Sequence, residues 1–186
     1  MLRSAAELLR ERGSAGVTID AVLARSGSPR GSVYHHFPEG RSQLLREALQ
    51  FAGEQIAGDI ERAAAGNGTA LLRQFAEMWR KALIASDFHA GSPVLAAAVG
   101  SGPDEQQLTE VAADIFRRWR DASIQAFRRE GFEAAEAIAL AHMTISALEG
   151  AVVLCRSTRS LEPLDDVADQ MEFLIKAREF VAATTP

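Results

Sequence analysis

Apolar residues recur along this chain at intervals of three and four, the spacing of one helix face, and Gly, Pro, Ser and Thr stand at the breaks. The opening run, MLRSAAELLRERG, places Leu2, Ala5, Ala6 and Leu9 together, with Gly13 as C-cap. A second run, TIDAVLARSG, starts at the N-cap Thr18, puts Ile19, Val22 and Leu23 on one side and stops at Gly27. Ser28 is expected to cap a third helix whose first residue is Pro29, the position proline favours. Val33 and Phe37, at i and i+4, anchor that helix to the first two and leave Arg30, Gly31, Ser32, Tyr34 and His35 facing outward.

From Arg41 onward the pattern predicts longer helices. One runs to about Ala65 and ends at GNG. The next, Thr69 to Ser86, carries Leu72, Phe75, Met78, Trp79 and Leu83 along one stripe. His89 to Pro103 reads as a loop with a short helix, and Asp104 to Glu130 as a long helix with Leu108, Val111, Ile115, Phe116, Trp119 and Phe127 as its apolar positions. In the last two helices Ile138, Ala141, Ile145, Leu148, Val152 and Cys155, then Leu164, Val167, Met171, Leu174 and Val181, alternate by three and four as a helix-helix seam requires. Leu140, Met143, Leu154, Phe173 and Phe180 lie on the opposite faces. Helices apolar on two faces need cover on two sides, so the pattern predicts a homodimer through a four-helix bundle, with Ile138, Ile145, Leu148, Val152, Leu164, Val167, Met171 and Leu174 at the interface. A seam within one chain is the alternative.

Composition narrows the class. With 186 residues, 47% apolar and 24% charged, the chain supports a sizeable core. One cysteine, Cys155, excludes an internal disulfide and fits a reducing cytoplasm. Residues 1 to 12 lack a signal-peptide core. Residues 137 to 155 approach the length of a membrane span, yet His142 and Glu149 inside that stretch favour a buried helix, and no membrane partner is expected. Charge is unevenly spread: residues 1 to 50 hold seven Arg against five acids, a balance of +2, whereas the remainder balances at −7. Only the N-terminal part is therefore suited to approach a polyanion.

Two short helices joined by a Gly turn, the second opening Ser-Pro, form a helix-turn-helix pattern whose second helix enters a major groove. A plain structural corner between helices has the same spacing. The outward residues of the third helix decide between them, because short or planar hydrogen-bonding groups suit base edges and phosphates. Chelation of a metal by His35 and His36 is disfavoured, since neighbours on a helix point about 100° apart, and His89 and His142 have no ligand-spaced partners. No metal and no cofactor are expected.

TIDAVLARSGSPRGSVYHHFPEGRSQLLREAL, Thr18 to Leu49, resembles the DNA-binding segment of the TetR/AcrR family of bacterial regulators, including its Tyr-x-His-Phe ending and the basic residue opening the next helix. The resemblance implies phosphate contacts for Tyr34 and Arg41, a backbone contact for Thr18, base-reading positions at Arg30, Gly31, Ser32 and His35, and a phosphate or helix-end role for His36. Ser28 opens the same element. Arg41-Ser42 stands where the family usually has Lys-Glu, a change that keeps the cation. The sequence starts close to the core of helix one, without the basic arm that often precedes it in the family, so further phosphate contacts are either lacking or belong to residues ahead of this start.

GSPVLAAAVG and LEGAVVLCRSTRSLEPLDDV are similar to the C-terminal domain of the LmrA/YxaF-type branch. The fold expected is therefore all-α: a three-helix helix-turn-helix DNA-binding domain over residues 1–45, joined to a larger helical effector-binding and dimerisation domain over residues 46–186. The resemblance implies dimerisation through the last two helices and a planar aromatic or drug-like effector. Its candidate pocket is Phe75, Met78, Trp79, Phe88, Phe116, Trp119, His142, Met143 and Glu149, each of which also serves as ordinary core or, for His142 and Glu149, as a polar pair at the dimer seam. The function expected is a repressor that leaves a palindromic operator when a small hydrophobic or aromatic effector binds. A constitutive DNA-binding protein is the first alternative. A small helical enzyme is the second, weakened because Cys155 has no adjacent base and no other catalytic arrangement is recognisable.

Overall fold

A computed structural model describes residues 1–100 and 105–184. Among them the chain is all-α, with no strand: α1 is Leu2–Arg12, α2 Ile19–Ser26, α3 Arg30–His36, α4 Arg41–Ala64, α5 Gly68–Ala85, α6 Pro93–Ala98, α7 Glu105–Arg129, α8 Ala134–Thr158 and α9 Glu162–Thr184. Pro103 and the expected helix start at Asp104 lie outside the described residues. Packing divides the chain into two compact units, Met1–Ile56 with His89–Phe116, and Ala57–Phe88 with Arg117–Pro186, the division falling inside α4 and α7. It groups His89–Phe116 with the N-terminal helices, which a cut after residue 45 does not.

In the first unit, α1 buries Ala5, Ala6, Leu8 and Leu9, and Gly13 stops it with φ 68°. A short 3₁₀ turn, Ser14–Gly16, leads to Thr18, whose hydroxyl accepts from the Ala21 N–H at 3.1 Å and so caps α2. Gly27 ends α2 in the left-handed region, φ 65°, which a side chain at that position would resist. The cap of α3 differs from expectation. Pro29, with ψ 143°, is itself the extended residue before the helix, so α3 starts one residue later and Ser28 makes no side-chain cap. The Ser28 N–H donates to the Ser26 hydroxyl at 3.3 Å, keeping Ser28 in the turn. Val22, Val33 and Phe37 are buried and pack the two short helices onto the unit's core. Further on, Ser92 caps α6 by accepting from the Leu95 N–H, and the Gly91 N–H donates to the Arg10 carbonyl.

The second unit is built on α5, α8 and α9, which pack on one another. Its core holds Leu71, Leu72, Phe75, Trp79 and Leu83 of α5, Leu140, Leu148, Val152 and Cys155 of α8, and Leu164 and Ile175 of α9, with Trp119 and Phe127 from α7, all buried. By length and composition α8 is apolar enough to cross a bilayer. Ion pairs tie the outer edges: Arg80 to Asp165 and Arg73 to Glu172 join α5 to α9. Leu148, Val152 and Leu164 are fully covered, and Ile145 and Met171 nearly so, inside one protomer. These five side chains are covered within the chain itself, by the packing of α5, α8 and α9. Of the expected set Ile138 is exposed, and Val167 and Leu174 are half-buried. Large apolar side chains left in solvent in this unit include, besides Ile138, Ile84 of α5, Val153 and Leu154 of α8, and Phe173, Phe180 and Val181 of α9.

Candidate nucleic-acid interface

The third helix presents a polar face because its two apolar residues are turned inward. Val33 is fully buried and Phe37 almost so, which leaves Arg30, Gly31, Tyr34, His35 and His36 exposed, and Ser32 half-buried. Tyr34 is 57% exposed, a high value for an aromatic ring. The space around Gly31 is open, so the helix backbone can be approached closely there. The rings of His35 and His36 meet edge to face with centroids 5.2 Å apart. Ser32 already donates its hydroxyl proton to the Pro29 carbonyl at 2.6 Å, so what it offers outward is an acceptor. Thr18 is exposed, with its hydroxyl engaged as the α2 cap.

The arginines of this unit separate into brace and surface. Arg25 makes a bidentate pair with Glu11, at 2.9 and 2.7 Å, that ties α2 to α1. That hydrogen bonding is the main reason the Glu11 carboxyl is held below its ordinary range and the Arg25 guanidinium above its own. Arg41 is half-buried, donating from Nε to the Val17 carbonyl at 2.8 Å and from Nη2 to the Ser14 carbonyl at 2.7 Å. Arg30 points into solvent, with Nη1 3.0 Å from the Asp20 carboxylate. The brace of Glu11 and Arg25 and the partner Asp20 went unseen in the sequence. The spacing of Glu7, Glu11 and Arg25 gives no hint of a bridge between two helices, whereas Asp20, two residues past a cap, reads as a first-turn acid.

The residues expected to form an effector pocket are distributed unequally. In the second unit Phe75 packs edge to face on Trp119, centroids 5.9 Å apart, and at 6.4 Å on Trp79, with all three buried. Met78, Phe88 and Met143 are half-buried, and Phe116 belongs to the first unit. His142 and Glu149 are not brought together. His142 is exposed and Glu149 only 3% exposed; seven residues share a helix face but stand about 10 Å apart along its axis. Two polar atoms here have no hydrogen-bond partner among the described residues: the Trp79 indole N–H and the Thr144 hydroxyl, both buried. Thr144 was not foreseen, since a threonine in an apolar helix carries no signal of its own.

Residues 1–48 match the family described as bacterial regulatory proteins, tetR family, and residues 69–170 match that described as transcriptional regulator LmrA/YxaF-like, C-terminal domain. An HTH-type transcriptional regulator of Mycobacterium tuberculosis strain H37Rv is 43% identical over 182 residues, covering 95% of this chain and 93% of its own length. The chain belongs to the TetR family. This TetR-family protein is also similar to the HTH-type transcriptional regulator LmrA of Bacillus subtilis, 24% identical, with 95% of each chain covered. Its fold is that of regulatory protein TetR from Rhodobacter sphaeroides, whose crystal structure aligns with a TM-score of 0.80 at 23% identity over 92% of this chain and 94% of the other. As a TetR-family member it is a DNA-binding transcriptional regulator, with its helix-turn-helix in the segment that contains α2 and α3.

Proposed function

We propose that this TetR-family protein is a cytoplasmic homodimeric repressor that holds a palindromic operator and leaves it when a small hydrophobic or aromatic effector binds. Residues 1–45 would read DNA, and residues 46–186 would bind the effector and pair the subunits. The observation that carries the reading is the turned-out polar face of α3, with Arg30, Gly31, Tyr34 and His35 exposed over the buried anchors Val33 and Phe37. Arg30, at the start of α3, is suited to a bidentate contact with a guanine edge, and Tyr34 to a phosphate. Dimerisation is supported by the exposed apolar side chains of α8 and α9, which are costly to leave in water. For the effector, the Trp79 N–H and the Thr144 hydroxyl are buried polar atoms that a ligand with an acceptor would satisfy.

Selection of bound duplexes from a random pool, at near-physiological salt, tests the reading. An enriched inverted repeat is the expected result, and a pool with no enrichment would overturn the operator. Release of that duplex by planar aromatic compounds tests the effector. Constitutive binding is the second reading, favoured by the close packing of Phe75 on Trp79 and Trp119, and it predicts no release. Catalysis by Cys155 is disfavoured, because burial above all pushes its thiol up from the ordinary range and away from the reactive thiolate.

A further inference from the structure

Arg30 is the outward cation at the start of α3, and it does not stand alone. Its Nη1 lies 3.0 Å from Oδ1 of Asp20, on α2, with the two side chains 71% and 72% exposed. A pair this open to water contributes little to stability, and the contact of α2 with its neighbours is secured by other means: Val22 and Val33 are fully buried and Arg25 bridges to Glu11. Asp20 also sits in the first turn of α2, where the helix dipole favours an acid whether or not Arg30 is near. The fold therefore has little need of the pair.

We propose that Asp20 is a positioning residue that sharpens sequence choice by withholding Arg30 from any duplex that cannot replace the ion pair. A free guanidinium binds every phosphate alike and raises affinity for all sequences. With Asp20 in place, a duplex of arbitrary sequence gains that contact only by breaking the pair and bringing its phosphates beside a carboxylate. A duplex presenting guanine O6 and N7 at the right step offers two acceptors in one plane, matched to the guanidinium fork, and compensates for the loss. Asp20 thus weakens arbitrary binding more than operator binding. This rests on the reading of α3 as the base-reading helix.

The test is a double-mutant cycle on the full chain, measuring affinity for the duplex enriched by selection and for a scrambled duplex at one fixed salt concentration. Asp20→Asn is expected to tighten the scrambled duplex about threefold to tenfold and the enriched duplex by less than about twofold, since one phosphate contact is at stake. In the Arg30→Ala background most of that gain should vanish. Asp20→Glu, which keeps the charge, should restore selectivity and controls for a folding loss. Equal tightening of both duplexes, an unchanged gain without Arg30, or no gain at all would each overturn the proposal. A different result marks failure of the underlying reading: Arg30→Ala leaving the preference between duplexes unchanged, or selection enriching nothing, overturns α3 as reader and the proposal with it.

Discussion

Arg41 has two competing demands on its guanidinium. The family resemblance gives it a phosphate, whereas in the structure its Nε and Nη2 donate to the Val17 and Ser14 carbonyls at 2.8 and 2.7 Å, fastening the start of α4 to the segment before α2. Hydrogen bonds from a charged donor are worth about 1.5–3 kcal/mol when lost with their acceptors left buried. Arg41→Ala should therefore lower the stability of the free protein by about 1–3 kcal/mol in urea unfolding, with weaker DNA binding as a companion effect. Tyr34→Phe, at an exposed side chain, should weaken all duplexes alike and leave the urea midpoint in place. If Arg41→Ala unfolds like the parent protein, its bonds to the two carbonyls are incidental and the phosphate role stands alone. Residues whose role follows from spacing alone were legible: Thr18 as a cap, Gly27 as a stop, Val33 and Phe37 as anchors. The cap of α3 was not, because it turns on the ψ of Pro29, which no residue type announces.

At the scale of elements, two joints of the second unit give measurable predictions. Gly68 opens α5 against the ring of Phe127, and a Cβ there would collide with ring carbon Cδ1. Phe127 is buried and packs on Phe132, so it has little room to yield. Gly68→Ala should cost about 1–3 kcal/mol through overpacking, read as a lowered thermal midpoint, and a neutral outcome would mean that the ring moves freely. The second joint is Glu172 of α9, which accepts from Arg73 of α5 and from Lys176 one turn further on. Those hydrogen bonds hold its carboxyl at about 2, far below the usual carboxylate range. Because the folded value is depressed, the stabilisation is fully present above the ordinary carboxylate range and is lost as pH falls toward 2. Unfolding followed from pH 6 down to pH 2 should show Glu172→Gln with a flatter acid limb than the parent chain, and identical limbs would remove Glu172 from the account. The helices themselves were legible from their period of three and four; on α5 the stripe found Leu72, Phe75, Trp79 and Leu83, while Met78 is half-buried and the buried Leu71 was missed. Which neighbour covers a given stripe was not. Leu148 and Val152 share their spacing with residues of any coiled seam, yet they are covered within the chain, and Leu154 and Phe173 on the other faces are the ones left in water.

For the whole molecule that exchange of faces decides how dimerisation is to be tested. Phe173 is 70% exposed and Leu154 52%, so a charge at either position meets water in the free protomer and costs the fold little. If these faces of α8 and α9 pair two subunits, Phe173→Glu or Leu154→Glu buries an uncompensated carboxylate in the interface and should drive the protein to monomers at micromolar concentration, measured by sedimentation equilibrium. Leu148→Ala is the contrasting variant. It opens a cavity inside the protomer, costing about 2–5 kcal/mol of stability, without touching the exposed face. Separation of the two effects follows from the burial alone, since a fully covered side chain cannot contact a second copy. Operator binding gives the linked readout: two half-sites joined through one dimer gain from effective concentration, so a monomer should bind a single half-site weakly and a full inverted repeat no better than twice as often. A Phe173→Glu protein that stays dimeric and keeps its affinity for the full repeat would place the subunit contact on another surface.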